Sequence, residues 1–315
     1  MIPYTRKTLP NGLTVVVNRD RASKLAAVNI LYRVGARNEN PARTGFAHLF
    51  EHLMFRGTRA VENFDLPVQM ASGDNNAFTN NDYTDFYITL PKDNLETALW
   101  LESDRMEGLD ITPAKLEAEK KVVIEEFRQR YLNQPYGDQT MLLRALAYKV
   151  HPYRWAAIGL ATDHIAGATL ADVESFYRAH YRPSNAILSI SADMEEEWML
   201  ELAEKWFAPL ADHPSETDAI PQEPVQTQAR RQEVERDVPA STVTVAYHMC
   251  ARTKLDFYTA DLVSDLLSGG DSGRLYTHLV KERNLLSSVN AYITGDVDPG
   301  LFVFTGQLLP GVTPE

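Results

Sequence analysis

The chain has 315 residues, of which 44% are hydrophobic and 23% are charged, and this balance is typical of a globular protein with about two domains. Its 31 Lys and Arg against 43 Asp and Glu give a formal net charge of -12, which disfavours a nucleic-acid or anionic-membrane partner. The single cysteine, Cys250, excludes an internal disulfide, and the lack of any apolar run of about 18 residues predicts no membrane span.

Strand signals open the chain. Two strands are predicted, over 13–17 after an Asn11-Gly12 turn and over 27–34, where β-branched residues are frequent. A helix is predicted between 42 and 55, because apolar residues recur there at the i, i+3, i+4 and i+7 spacing.

The next part of the chain mixes strand and helix signals. Residues 73–85 are dense in Asn and Asp, and residues 76–78 within them, taken alone, predict a polar loop. Thr112 and Pro113 are suited to the start of a helix that runs to about Tyr131. The other predicted elements are a strand over 86–90, a helix over 95–106, a helix over 170–180 capped by Thr169, strands over 185–190 and 242–247, and a helix over 256–267. This mixed order favours an α+β fold over a strictly alternating parallel one.

A segment with several prolines divides the chain. Residues 212–229 contain three prolines and almost no large apolar side chain, which is the composition of a linker. The predicted organisation is therefore a first domain over 1–211, a linker over 212–229 and the beginning of a second domain over 230–315.

A pattern in the first long helix returns in the last one. The positions that match at a constant offset of 213 residues are Ala47, Leu49, Leu53 and Gly57 with Ala260, Leu262, Leu266 and Gly270. Each copy also follows a strand, which favours a duplicated domain. A second copy as long as the first would run well beyond residue 315, so we expect the second domain to be incomplete in this chain.

Two histidines lie one turn apart in the first long helix. His48 and His52 project from the same face and can bind one metal ion, and Glu51 flanks that face. Such a pair also occurs as ordinary helix histidines, so the metal hypothesis needs a third ligand. The helix that begins at Thr112 carries Glu119 and Glu126 on one face.

Two His nitrogens and one carboxylate leave one position of a tetrahedral zinc open, which is typical of a catalytic site. Zinc lowers the pKa of a water in that position towards about 7. Glu51 shares a helix turn with both histidines, so it is suited to accept the proton of this water and pass it to a leaving amine.

The segment from His48 to Thr58, with Glu126 following 74 residues after His52, resembles the pitrilysin/insulinase family of metallopeptidases, which have an inverted zinc motif. Within that family it is similar to a processing-peptidase-like bacterial branch. Residues 75–80 and the stretch from His151-Pro152-Tyr153 to 176–186 agree with the same family.

The resemblance implies a zinc endopeptidase that hydrolyses peptides or unfolded polypeptide segments inside a clamshell chamber. Its duplicated α+β domains would each have a mainly antiparallel sheet with helices packed on it. Zn2+ would be held by His48, His52 and Glu126, with Glu51 as the general base and Glu119 in a supporting catalytic role.

The resemblance also implies where substrate binds. Asn76, Ala77 and Phe78 would form an edge strand along which an extended peptide is added. In the family the second domain usually contributes an Arg and, seven residues later, a Tyr that hold the substrate. Val280 and Ser287 stand at these positions, which implies that a homologous subunit supplies the pair in a heterodimer, with a homodimer as the other possibility.

Two other functions use the same residues. A catalytically silent scaffold subunit would have lost the metal ligands, as the second copy of the helix has: Asp261, Ser264 and Asp265 stand where the first copy has His, Glu and His. An iron oxygenase also uses two His and one carboxylate, but it gives no role to Glu51. No signal-peptide pattern precedes the first strand, so the chain as given is predicted to be cytoplasmic, or periplasmic if a signal peptide was removed.

Overall fold

The computed structural model describes residues 2–213 and 219–314, and the chain divides into two compact units. The first unit consists of Met1–Arg128 and His151–Gln222, and the second of Gln129–Val150 and Glu223–Glu315. The predicted scheme of 1–211, 212–229 and 230–315 treats each domain as one continuous segment. The compact units are instead interleaved in sequence, because Gln129–Val150 groups with the later residues.

The first unit is built on a six-stranded sheet in the order β1-β2-β6-β3-β5-β4. Only the β2–β6 pair is parallel, so the sheet is mainly antiparallel. The strands are β1 Thr5–Thr8, β2 Thr14–Arg19, β3 Leu25–Tyr32, β4 Asp74–Thr79, β5 Thr84–Pro91 and β6 Ala186–Ala192. In β3 the residues Ala26, Val28, Ile30 and Tyr32 are fully buried and alternate with more exposed ones, so one face of the sheet forms the core.

The α-helices of the first unit pack on this sheet or on one another. They are α1 Phe46–Leu53, α2 Asp65–Met70, α3 Leu95–Glu107, α4 Pro113–Phe127, α6 Thr162–Ala166, α7 Leu170–His180 and α8 Glu196–Phe207. Two predicted caps are confirmed: the hydroxyl of Thr112 accepts the Lys115 N–H, and that of Thr169 accepts the Asp172 N–H. The helix predicted to continue to about Tyr131 ends as α-helix at Phe127 and passes into a π-helical turn over Arg128–Leu132.

The second unit has a three-stranded antiparallel sheet in the order β7-β9-β8. Its elements are α5 Gln139–Ala147, β7 Thr242–His248, α9 Leu255–Ser268, β8 Leu286–Ile293 and β9 Leu301–Leu308. The side-chain amide of Gln139 on α5 donates to the hydroxyls of Thr244 and Thr305 on the sheet. These bonds are among the contacts that join Gln129–Val150 to this unit. Residues 219–229, in the predicted linker, form neither helix nor strand.

The topology confirms the duplication. In chain order, the first unit has the elements β3, α1, β4 and β5, and the second unit has β7, α9, β8 and β9. The last strand of each series lies between the other two: β5 between β3 and β4, and β9 between β7 and β8. The fold class is therefore α+β with a repeated unit, of which the second copy has three strands in the described residues. None of the described helices combines the length and the apolar character needed to cross a bilayer.

Candidate metal centre

Helix α1 separates an apolar face from a polar one. Leu49, Phe50 and Leu53 are fully buried, and the ring of Phe50 stacks on those of Phe176 and Tyr181 at 5.3 and 5.1 Å between centroids. This packing fixes the rotation of the helix about its axis, so the remaining face, which carries the two histidines, is turned towards α4.

The two histidines meet a carboxylate of α4. The Nε2 atoms of His48 and His52 lie 3.7 and 3.4 Å from the two carboxylate oxygens of Glu126, and the imidazole centroids are 4.8 Å apart. One ligand atom from each of the three residues lies within 4.8 Å of the others. The structure therefore brings together the three residues expected to bind zinc, although Glu126 follows His52 by 74 positions in sequence.

The donor set fits a zinc ion. Ligand atoms about 2.0–2.1 Å from a tetrahedral zinc are separated from one another by about 3.4 Å. The observed separations of 3.4 and 3.7 Å between imidazole nitrogens and carboxylate oxygens match that spacing. Imidazole and carboxylate are also ligands that zinc prefers, and three protein groups leave a fourth position for water or substrate.

The charges around His52 favour a cation. Burial alone would lower the pKa of His52, but its contacts with Glu119 and Glu126 outweigh burial and raise the pKa to about 9. The site thus concentrates negative charge around the imidazole nitrogens.

Glu119 lies behind His52, on the side away from Glu126. Its carboxylate oxygen is 3.4 Å from Nδ1 of His52, and the side chain is only 1% exposed. A carboxylate in this position orients a metal-binding imidazole and fixes its tautomer. The other oxygen of Glu119 forms an ion pair with Arg56, a half-exposed residue. No pattern in the sequence indicates this ion pair, since Arg56 follows the end of α1 and no sequence spacing connects it to α4.

Glu51 stands between the two histidines in the sequence of α1, and its side chain is half-buried. It belongs to neither the set of three ligands nor the ion pair of Glu119. Its role as a general base therefore stays a prediction, and its position on the same turn is compatible with that role.

The predicted substrate strand is an edge strand. Asn76, Ala77 and Phe78 belong to β4, which is the last strand of the six-stranded sheet and pairs with β5 alone. The polar loop that the sequence alone predicts at 76–78 is wrong, because pairing with β5 stabilises a strand that the Asn and Asp residues of β4 disfavour. The side chain of Phe78 is 43% exposed, and α1 lies beside β4.

The second copy shows no comparable site in the described residues. Asp261 and Asp265 on α9 belong to no group of three potential metal ligands there, since the only such group is that of α1 and α4. Val280 lies in a π-helical turn, Tyr276–Glu282, and Ser287 is exposed on β8.

Two family models match the chain. The model described as insulinase, peptidase family M16, matches residues 14–156, which include α1 and α4. The model described as the peptidase M16 inactive domain matches residues 167–315.

Named relatives agree with these models. The zinc protease PqqE of Helicobacter pylori is 33% identical over 314 residues, which are 98% of this chain and 70% of that protein. A probable mitochondrial-processing peptidase subunit beta of Arabidopsis thaliana is 25% identical over 95% of this chain and 59% of its own length. The crystal structure of a protease from Helicobacter pylori matches with a TM-score of 0.91 at 32% identity, over 98% of this chain and 76% of that one. The chain therefore belongs to the insulinase family of peptidases, M16.

Proposed function

We propose that this protein is a zinc-dependent endopeptidase that hydrolyses peptides or unfolded polypeptide segments. The observation that supports this most directly is the convergence of His48, His52 and Glu126 at the spacing of zinc ligands, with Glu51 on the same helix turn. A relative with 33% identity is named a zinc protease, which supports the same metal and reaction.

Each residue has a distinct task in this mechanism. His48, His52 and Glu126 bind the metal, and Glu119 orients His52 through its Nδ1. When bound, a zinc ion polarises a substrate carbonyl and lowers the pKa of a water. Glu51 accepts the proton of the attacking water and transfers it to the leaving amine, which is general acid–base catalysis by one carboxylate.

Substrate binds in extended form along β4. The outer edge of an edge strand offers backbone N–H and C=O groups, so a peptide added there is held largely independently of its side chains. Asn76, Ala77 and Phe78 lie in the middle of that edge, beside the helix that carries the metal ligands. The proximity of edge strand and metal centre supports an endopeptidase, because it places an internal peptide bond near the metal.

The active site is completed by a second subunit. Val280 and Ser287 offer neither a guanidinium nor a phenol to stabilise developing negative charge on the substrate. Loss of one such donor costs about 10²–10³ in rate. A homologous partner that has the Arg and Tyr supplies them in our proposal, and one relative of this chain is itself named a subunit. A homodimer is the other arrangement.

The decisive experiment combines metal analysis with peptide cleavage. Glu51→Gln is expected to keep zinc and to lose activity by at least about 10²–10⁴-fold, since the amide cannot accept the proton of water. Activity is measured with the isolated chain and after addition of the partner. A metal-loaded Glu51→Gln protein that still cleaves peptides would show that the assignment of the base is wrong.

The same experiment distinguishes the proposed peptidase from the alternative function, a catalytically silent scaffold subunit. A catalytically silent scaffold subunit would bind zinc or not, but would leave cleavage unchanged when Glu51 is replaced in the assembled complex. The match of residues 167–315 to a model described as an inactive domain is the observation that keeps this alternative in view. Iron in place of zinc would be detected by the metal analysis.

A further inference from the structure

Helix α1 begins without a capping side chain of its own. The residue at its N-cap is Gly45, with φ 90° and no side chain to accept a hydrogen bond. A Cβ at this position would lie 2.7 Å from the carbonyl oxygen of Ile158 and 2.8 Å from Cδ1 of Ile165. Ser, Thr or Asp therefore cannot take the N-cap, and the first N–H groups of the helix need another acceptor.

Glu39 provides that acceptor from outside the helix. Its Oε2 accepts the N–H of Gly45 and its Oε1 accepts the N–H of Ala47, both at 2.9 Å. Burial raises the pKa of Glu39 to about 8, and the hydrogen bonds from the backbone of Ala47 and Gly45 act in the opposite direction. Both oxygens accept in this geometry, as those of an ionised carboxylate do, and the positive end of the helix dipole favours that form. Glu39 is 5% exposed, and Ala47 directly precedes the metal ligand His48.

The residues just before Glu39 are bound to the turn that ends β4. The N–H of Ala36 donates to the carbonyl of Asn80 at 3.1 Å, and that of Arg37 donates to the carbonyl of Asn81 at 2.9 Å. The guanidinium of Arg37 also lies 3.2 Å from the carboxylate of Asp82. The short segment 35–39 is therefore hydrogen-bonded at one end to the β4–β5 turn and at the other end to α1.

We propose that Glu39 is a positioning residue of the metal centre. By capping α1 from a segment that is bonded to the β4–β5 turn, it sets where His48 and Glu51 lie relative to a peptide on β4. The part that concerns the peptide rests on the proposed function. The part that concerns α1 does not, because it needs only the hydrogen bonds to Gly45 and Ala47.

Glu39→Gln tests the proposal with little change in volume. The amide keeps one acceptor and presents a donor to the other backbone N–H, so one of the two bonds is lost. Three quantities are measured: amide hydrogen exchange of α1 in the metal-free protein, zinc affinity by competition with a chelator, and kcat and KM separately with the assembled enzyme. Thr169→Ala is the matched control, since it removes a cap from α7 rather than α1.

We expect Glu39→Gln to speed exchange in α1 at least about tenfold and to weaken zinc binding by about 10-fold or more, as for other groups that orient metal ligands. The kcat is expected to fall by about tenfold while KM stays within about twofold, because misplacement affects the reacting groups. Thr169→Ala is expected to change exchange in α7 only.

Unchanged exchange of the α1 amides in Glu39→Gln protein would overturn the proposal, whether or not the protein binds zinc. Wild-type exchange and zinc affinity combined with a raised KM alone would overturn it too, because the residue would then act on substrate binding. If wild-type protein proves inactive with every partner, the proposed function fails, and the exchange and zinc measurements still decide the role of Glu39. Should Glu39→Ala fail to fold, Glu39→Gln carries the test.

Discussion

The helices of the two repeats, α1 and α9, have the same place in the topology but different chemistry. At the positions where α1 has His48, Glu51 and His52, α9 has Asp261, Ser264 and Asp265. In the described residues, Asp261 and Asp265 belong to no group of three potential metal ligands. A metal centre in this fold thus needs both the right side chains on the repeat helix and a second helix, α4, packed against it.

The apolar positions of the two helices differ as well. Leu49 and Leu53 of α1 are fully buried, whereas the matching Leu262 and Leu266 of α9 are 71% and 51% exposed. The leucine pattern is nearly the same, and α1 is covered by α4 and α7. The comparison teaches that a periodic apolar stripe specifies which side of a helix can be buried, while the neighbouring elements determine whether it is buried.

The largest expected effect is the loss of zinc when a metal ligand is replaced, compared with replacements at the matched positions of α9. Replacement of His48, His52 or Glu126 by Ala is expected to reduce zinc from about one ion per chain to almost none, because only three protein groups hold the ion. Asp261→Ala and Asp265→Ala are expected to leave the zinc content unchanged. Zinc per chain is measured by elemental analysis after dialysis.

Glu119→Ala refines the same measurement. This variant is expected to keep most of its zinc and to hydrolyse peptides more slowly, since Glu119 contacts His52 through Nδ1 rather than the ligand nitrogen. An equal loss of zinc in this variant and in the three ligand variants would contradict the division between ligands and orienting group.

The next effect concerns the buried and exposed leucines. Leu49→Ala is expected to lower the free energy of unfolding by about 2–5 kcal/mol, because it leaves a cavity in the core. Leu262→Ala, at the matched position, is expected to change it by less than about 0.5 kcal/mol. Urea unfolding of metal-free protein measures both. Equal losses would indicate that α9 is covered in solution.

Low pH is expected to reduce the stability of the folded protein through His180, at the end of α7. Burial, with a smaller contribution from Arg182, lowers the pKa of His180 at the end of α7 to about 4. Below about pH 6.5 the unfolded chain binds a proton that folded His180 does not, so stability falls as the pH drops from about 6.5 to 4. The total loss is at most of the order of 3 kcal/mol.

His180→Gln is expected to flatten this part of the stability profile, measured by urea unfolding at a series of pH values. His278→Gln is the control, since that histidine is exposed on the second unit. A profile of His180→Gln protein parallel to that of the wild type would rule out this histidine as the source of the acid sensitivity.

The smallest expected effect concerns the N-caps of α7 and α9. Thr169→Ala is expected to cost about 1 kcal/mol, since the Thr169 hydroxyl and the Asp172 carboxylate form a reciprocal capping box on α7. Lys254 stands at the N-cap of α9 and makes no side-chain bond there, so Lys254→Ala is expected to change stability by less than about 0.5 kcal/mol. Thermal unfolding of the two variants supplies the comparison.

Much of the local structure was predictable from the sequence alone. The i, i+4 spacing of His48 and His52, the caps at Thr112 and Thr169 and the repeat at an offset of 213 residues depend on near neighbours in the chain. Helical periodicity and capping are short-range effects, so their signals survive in the order of residues.

Other features were decided only by the tertiary structure. The strand β4 forms because its backbone pairs with β5, the carboxylate of Glu126 meets the histidines because α4 packs on α1, and α5 joins the second unit through bonds to its sheet. The acceptor for the start of α1 is Glu39, which no cap pattern indicates. These features depend on groups that are distant in sequence, and the packing of whole elements, rather than local propensity, fixes which of those groups come within bonding distance.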